Sequence, residues 1–165
     1  MTRGLKVKAA VAAGVAVAAF VIAWAVWPSP APPRARQYLD VSACLLTGAS
    51  GITPGSTGAQ AWHAMESASL SSHVMVSYLP ATGPADVPVM LNTLAERRCG
   101  VIIVTGATRV QVAGAAKANP GRRFVLVTTS TAAGSAPVPS NTAVVPAANA
   151  SGRINQEVTA LAGAS

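Results

Sequence analysis

The chain has 165 residues, of which 10% are charged, and a formal net charge of +7 from twelve basic and five acidic side chains. Five of the basic residues lie before residue 37, so the remainder carries seven basic and five acidic side chains, a net charge of +2. Binding of nucleic acid needs a clustered basic face with aromatic side chains that stack on bases, so this balance excludes nucleic acid as a partner. The length allows one domain after the N-terminal segment.

The N-terminal segment is apolar over residues 9–27, nineteen positions without a charge, with three basic residues before it and prolines after it. A helix of this length would measure about 28 Å and would cross a hydrocarbon core of ~30 Å. Basic residues favour the cytoplasmic side, and Trp24 and Trp27 lie where interfacial aromatic residues are expected. The pattern predicts a cytoplasmic stretch at residues 1–8 and a transmembrane signal anchor, which makes the chain a single-pass protein of the cell membrane.

Cleavage of this segment is the alternative, because Ala23-Trp24-Ala25 fits the small-residue pattern of a signal-peptide cleavage site. Retention is favoured, because the apolar run continues through Val26 and Trp27. Both alternatives export the rest of the chain, as a membrane-anchored or as a secreted domain. No cysteine lies near the end of the run, so a lipid anchor is not predicted. Residues 28–37 are rich in proline and form a semi-rigid linker to an extracytoplasmic domain at 38–165.

Strands and helices alternate along this domain. Residues 99–130 show the pattern best, since two β-branched apolar runs flank a stretch with helical spacing, with Thr108 as a candidate N-cap and Asn119-Pro120-Gly121 as a stop. Buried strands joined by crossover helices predict a three-layer α/β domain with a parallel sheet of flavodoxin-like winding and right-handed connections. The predicted strands are 41–46, 74–79, 101–104, 124–127 and 142–145, and the predicted helices are 59–70, 89–98, 110–118 and 152–162.

Ligands of parallel sheets bind beyond the carboxyl ends of the strands, where this chain places glycines and hydroxyl side chains. A glycine-rich loop at 47–58 would let a small polar or anionic metabolite approach the backbone N–H groups of a following helix. Its spacing matches neither the dinucleotide fingerprint nor the P-loop. A flexible structural connection is therefore the favoured interpretation of this loop, and a binding loop is the alternative. The candidate ligand-binding residues are Gly48, Ser50, Gly51, Ser56, Thr57, Thr105, Gly106, Thr108 and Thr128.

Catalytic and metal-binding patterns are not found in the sequence. The two histidines, His63 on a predicted helix and His73 before a strand, have no partner that would form a nucleophile–base pair. The five acids include no evident pair, and no spacing of His, Cys and acids fits zinc. Trp62 and Met65 are expected to pack against the sheet. We therefore expect neither an enzyme nor a cofactor nor a metal site.

Cys44 and Cys99 are the only cysteines of the chain, and an exported domain permits a disulfide between them. The flavodoxin-like strand order would make their strands neighbours. Cys44 lies in the middle of its strand and Cys99 at the start of another, a stagger that could exceed the ~7 Å limit on the Cα separation. The sequence leaves open whether the pair forms a bridge or two buried thiols.

The run CGVIIVTGATRVQVAGAAKANPGRRFVLV and the later SNTAVV resemble the first lobe of the basic membrane protein family, the nucleoside-type substrate-binding proteins of ABC importers. In that family a strand ends in a glycine turn, which here is Gly106, and an alanine-rich helix follows, here residues 113–116. An Asn-Pro pair and then a basic residue with Phe come next, here Asn119-Pro120 and Arg123-Phe124. This resemblance implies a single lobe of a type I periplasmic-binding fold without enzymatic activity. ACLLTGASGI and the following WHAMESAS also resemble short single-lobe proteins of actinobacteria.

The chain departs from the family at the residues that hold the ligand. The family's first loop carries an acid and an aromatic residue, which the loop at 47–58 lacks, and Thr128 stands where the family tends to place Asp. A partner lobe is also not encoded within these residues. Two functions follow as hypotheses: a membrane-anchored extracytoplasmic lobe that binds or senses a small ligand, and an interaction module that forms a homodimer or docks a membrane protein without any ligand.

Overall fold

A computed structural model of the chain describes residues 38–129 and 137–164. The predicted cytoplasmic stretch, the signal anchor at 9–27 and the linker at 28–37 lie outside the described residues. Residues 130–136, between the predicted strands 124–127 and 142–145, lie outside them as well. Within the described residues no helix is both long and apolar enough to span a membrane.

The described residues form a five-stranded, all-parallel sheet with helices on both faces, in the strand order β2-β1-β3-β4-β5. This order is that of flavodoxin-like folds, so the predicted fold class of the domain is confirmed. The strands are β1 (Ser42–Thr47), β2 (Met75–Pro80), β3 (Val101–Thr105), β4 (Arg123–Thr128) and β5 (Thr142–Pro146), and the helices are α1 (Thr57–Ser72), α2 (Val87–Glu96), α3 (Arg109–Ala118) and α4 (Ala147–Ala162).

Side chains of the sheet alternate between two hydrophobic layers. Leu45 and Ile103 point toward α1 and α4, whereas Leu46 and Ile102 point toward α2 and α3. All four are fully buried, since strands of a parallel sheet are covered on both faces. Met65 of α1 is buried against the first of these layers as expected.

The structure corrects two predicted helix starts. α4 begins at Ala147, directly after β5, and not at residue 152, because Pro146 with its extended backbone serves as the N-cap. α1 begins at Thr57 and not at residue 59, because the Ser56 hydroxyl accepts a hydrogen bond from the backbone N–H of Ala59. Both helices therefore extend closer to the carboxyl edge of the sheet than the hydrophobic spacing indicated.

The predicted boundaries of α2 are shifted by two residues. The helix runs over Val87–Glu96 and not 89–98, since Pro88 is tolerated in the first helical turn, where its missing N–H has no helical partner. It ends before Arg98, which has a positive φ of 61°. This left-handed residue turns the chain sharply back toward β3.

After this turn, Cys99 lies on the α2 face of the sheet next to Cys44 of β1. The two cysteines form a disulfide with a Cα separation of 5.8 Å. The Cys99 N–H donates to the carbonyl of Leu94, and the Gly100 N–H donates to that of Ser42 in β1. Cys99 therefore lies in the helix-to-strand turn and not on the extended strand, which removes the stagger that the sequence indicated. Both cysteines are buried between the sheet and α2.

A buried acid links α4 to the start of β4. Glu157, which is 6% exposed, accepts a hydrogen bond from Nη2 of Arg123 at 3.1 Å. It also forms ion pairs with Nε of Arg123 at 3.0 Å and with Nη2 of Arg153 at 2.6 Å. The two arginines are 62% and 35% exposed, so water screens part of the interaction. The cluster fixes α4 on the sheet.

We expect Glu157→Ala to lower the free energy of unfolding by about 1 to 2 kcal/mol, because both arginines lose their carboxylate but can turn into water. The measurement is urea unfolding followed by circular dichroism. Glu96→Ala, which removes an exposed acid at the end of α2, is the control and should change stability by less than about 0.5 kcal/mol. Equal stability of the Glu157 variant and the wild type would contradict a role for this cluster.

Candidate functional site

A cleft of about 260 Å³ opens at the carboxyl ends of β1, β3 and β4. Its position includes the point where the strand order reverses, between β1 and β3, which is where doubly wound sheets bind ligands. The lining residues are Gly48, Ser50, Thr57, Gly58, Thr105, Gly106, Ala107, Val127, Thr128 and Thr129.

Two glycines let the loops after β1 and β3 touch at the base of this cleft. Gly106 has a positive φ of 75°, which disfavours any side chain. A Cβ added to it would lie 3.0 Å from the Cα of Gly48. The close approach of the two backbones exposes peptide groups to the cleft without side chains between them.

The N-terminus of α1 forms one wall of the cleft. Thr57 and Gly58, the first two helical residues, both line it, and the first-turn N–H groups of a helix have no partner within the helix. A Cβ added to Gly58 would overlap the carbonyl oxygen of Gly51, so the loop folds directly over the helix start. Helix N-termini favour anions and polar acceptors. The Ser56 hydroxyl accepts from the N–H of Ala59, whereas Thr57 and Gly58 are the helical residues at the cleft.

Buried hydroxyl groups lie below the cleft. The Thr47 side chain is 1% exposed, and its hydroxyl has no hydrogen-bond partner within the described residues. Its methyl group would lie 3.1 Å from a Cβ added to Gly58, which places the side chain directly beneath the cleft wall. The neighbouring Thr105 hydroxyl makes only a 3.4 Å hydrogen bond to the carbonyl of Leu46. An unsatisfied buried hydroxyl is costly, and such groups are often found at functional sites.

Six of the nine candidate residues from the sequence meet in the cleft. They are Gly48, Ser50, Thr57, Thr105, Gly106 and Thr128. The cleft also includes four residues that sequence reasoning missed. Thr129 directly follows β4, and its position past the carboxyl end of a strand could have indicated the cleft. Gly58 had been assigned to the glycine-rich loop but not to the binding residues.

The other three candidates do not line the cleft, and their structural roles explain why. Ser56 caps α1, and its hydroxyl also lies 3.4 Å from the carbonyl of Gly51, whose positive φ of 58° forms the turn of the loop. Thr108 forms a capping box with Gln111, in which each side chain bonds the other residue's backbone N–H. These residues therefore lie in helix caps and in the turn of the loop, outside the lining of the cleft.

The chemistry that the cleft offers is hydrogen bonding by hydroxyl and peptide groups. No charged side chain is among its described lining residues. His63 is exposed on α1, and His73 ends that helix with a positive φ of 59°. Across the described ranges no group of three His, Cys, Asp or Glu side chains is placed to hold a metal ion. The arrangement fits reversible binding of a small polar molecule.

Comparison with known proteins yields structural similarity only. No protein-family model matches the chain, and no curated protein sequence matches it. A fragment called a "putative lipoprotein" from Peptoclostridium difficile 630 is similar in structure, with a TM-score of 0.57 and 15% identity over 75% of this chain and 98% of that one. At this identity the similarity shows a shared fold.

A second solved structure is an ABC transporter solute-binding protein from Aeropyrum pernix K1, with a TM-score of 0.48 and 16% identity. The match covers 62% of this chain and 28% of the solute-binding protein. The chain thus corresponds to less than a third of that protein's length.

Proposed function

We propose that the chain is a membrane-anchored, extracytoplasmic lobe without enzymatic activity that binds a small polar or anionic ligand in the cleft. The observation that carries the proposal is the convergence of three strand ends and the N-terminus of α1 on a cleft lined by hydroxyl and peptide groups. Membrane anchoring is supported by the apolar run at residues 9–27 and the basic residues before it.

The similar proteins agree with an extracytoplasmic binding lobe. The Peptoclostridium protein is called a lipoprotein, and its fold covers three quarters of this chain. The resemblance of residues 106–124 to the basic membrane protein family also supports a lobe of the solute-binding type. The missing acid and aromatic residue in the first loop argue against a nucleoside as the ligand.

The chemistry of the lining restricts the ligand. A multiply charged anion would need a cation for neutralisation, and the described lining provides none. The partial positive charge of a helix N-terminus, about half an elementary charge, suits a carboxylate or a neutral acceptor better. The cleft is also smaller than the ~300 Å³ at which pockets for drug-sized molecules begin. We therefore expect a small hydroxylated molecule or monocarboxylate.

Binding can be tested with the full-length chain in detergent micelles. We expect a panel of monocarboxylates and monosaccharides to contain a compound that raises the melting temperature, since a ligand at 100 times its Kd stabilises by about 2.7 kcal/mol. Thr128→Val, which removes a hydroxyl from the cleft, should weaken that binding about 5- to 150-fold, because a lost hydrogen bond to a buried polar group costs about 1 to 3 kcal/mol.

The matched control is Thr53→Val, which removes an exposed hydroxyl that does not line the cleft, from the same loop that supplies Ser50. It should leave the affinity unchanged. A panel without any stabilising compound would count against the ligand-binding function. A ligand that binds the wild type and the Thr128 variant equally well would show that binding occurs outside this cleft.

A further inference from the structure

Strand β2 forms an exposed edge of the sheet. Among the described residues it pairs with β1 on one side only, and it stands last in the strand order. Four of its six residues are exposed. Among them, Met75 and Tyr78 are 42% and 44% exposed although both are large and apolar. Strand β5 at the opposite edge is mostly half-buried. The two edges of the sheet therefore differ in how far they are covered.

An apolar patch surrounds this edge. We name it the β2 patch and define it by Tyr38, Leu70, Met75 and Tyr78, which are four of the six large hydrophobic residues that are exposed among those described. Tyr38 and Leu70 line one groove together with Val76 of β2, and Tyr78 packs edge-on against Trp62 with ring centroids 5.4 Å apart. Exposed apolar side chains gathered along one sheet edge mark interaction sites in soluble domains.

The edge lacks the features that keep isolated edges from pairing. None of the residues of β2 is charged, and its sequence is MVSYLP. Natural edge strands are protected by lysine, inward-pointing charges, bulges or proline, and here only Pro80 at the last position offers such protection. The outer backbone groups of β2 can therefore accept another strand.

We propose that a second copy of this chain occupies the edge, with the two β2 strands paired antiparallel about a two-fold axis at Ser77. Residues that face each other across antiparallel strands lie on the same face of the sheet. In β2, Val76 and Tyr78 lie on the α1 face, and Met75 and Leu79 on the α2 face, as their pairing with β1 shows. The axis at Ser77 places Val76 opposite Tyr78 of the other copy and Met75 opposite Leu79.

This self-complementarity argues for a second copy as the occupant. The opposed pairs are β-branched with aromatic and thioether with aliphatic, combinations that stabilise sheets, and no like charges meet across the axis because β2 is uncharged. The pairing is isologous and closes as a dimer with one continuous sheet. The ligand cleft lies at the ends of β1, β3 and β4 and stays open in this dimer. Dimerisation is therefore independent of the proposed ligand binding.

The course of the chain adds a second argument. Residues 1–37 join the domain at Tyr38, which itself belongs to the β2 patch. If the N-terminal segment anchors the chain as proposed above, every copy in one membrane is tethered beside this edge. Confinement to one membrane surface raises the local concentration of the copies, so a modest interface suffices for pairing.

The test is the mass of the full-length chain in detergent micelles, measured by sedimentation over a range of concentrations, together with energy transfer between donor- and acceptor-labelled copies. We expect a reversible dimer for the wild type. Met75→Lys should weaken dimerisation at least about tenfold. The symmetry would place two lysines in the interface, one from each copy, each opposite Leu79 of the other copy. Tyr78→Lys, on the other face of the strand, should do the same.

The matched controls are Val110→Lys and Val89→Lys, which add the same charge at residues that are 72% and 61% exposed on α3 and α2. They should leave the dimer constant unchanged, and thermal melting establishes that each variant is folded. A monomeric wild type would overturn the proposal. It would be overturned in the same way if the monomer showed slow amide exchange in β2, because the chain's own residues would then cover this edge. A dimer that resists both β2 substitutions, or that the controls weaken equally, would overturn it too.

Discussion

Replacing Cys44 and Cys99 together by alanine should lower the free energy of unfolding of the domain by about 4 kcal/mol. The bridge spans 55 positions and joins β1 to the turn before β3, so it closes a loop that holds α1, β2 and α2. Without it the unfolded chain regains the conformational freedom of that loop, which is the chief source of a disulfide's stabilisation in the chain-entropy account. The loss is a large fraction of the total stability of a small domain.

The measurement is urea unfolding of the wild type and the double variant, followed by far-ultraviolet circular dichroism. Because both sulfur atoms are buried, we also expect a reducing agent to act on the folded protein slowly and on the unfolded protein fast. The control is the double variant in the presence of the same reductant, whose stability should not change. A difference below about 1 kcal/mol between wild type and variant would contradict a stabilising bridge.

Gly58→Ala should destabilise the domain by about 2 to 3 kcal/mol, the upper range for overpacking of a close contact. The added Cβ would overlap the carbonyl oxygen of Gly51, a backbone atom that cannot turn aside as a side chain can. Gly58 has no left-handed backbone that would itself disfavour alanine. The cost is therefore steric, and relief requires the loop at 47–58 to move off the helix start.

Gly114→Ala is the matched control, because Gly114 lies inside α3 and a Cβ there meets no atom within 4 Å. The same substitution should raise stability by about 0.5 to 1 kcal/mol, since alanine is the better helix former. Urea unfolding measures the stability of both variants. A loss of ligand affinity in the Gly58 variant, measured on the same samples, would report displacement of the loop at 47–58. If the Gly58 variant is as stable as the wild type, the loop does not fold over α1 as described.

The fold was largely predictable because its signals are local. The β-branched runs at 101–104 and 124–127 with the helical spacing between them predicted a buried parallel unit, and β3, α3 and β4 follow it within one residue. The start of α4 was missed because residues 147–151 carry little hydrophobic periodicity, and only packing on the sheet extends the helix to Pro146. Propensity gives a weak prior that tertiary contacts override.

The candidate site was predictable only at the level of an edge of the sheet. Carboxyl ends of parallel strands always meet at one edge, so the hydroxyls of Thr105 and Thr128 could be assigned to it from the strand pattern. Whether Ser56 and Thr108 face a ligand or cap a helix depends on backbone angles that the sequence leaves open. Both have extended backbones and bond the first turn of their helices, and neither lines the cleft.

The sequence by itself determined the alternation of strands and helices, the parallel sheet and the edge at which a ligand would bind. Only the tertiary structure decided that Cys44 and Cys99 meet, that Gly51 lies over Gly58, and that the apolar edge at β2 is left exposed by the rest of the described residues. The physical reason is the range of the interactions. Periodicity and capping act over a few residues, whereas these three features depend on contacts between segments that the chain brings together only when the sheet has its final order and register.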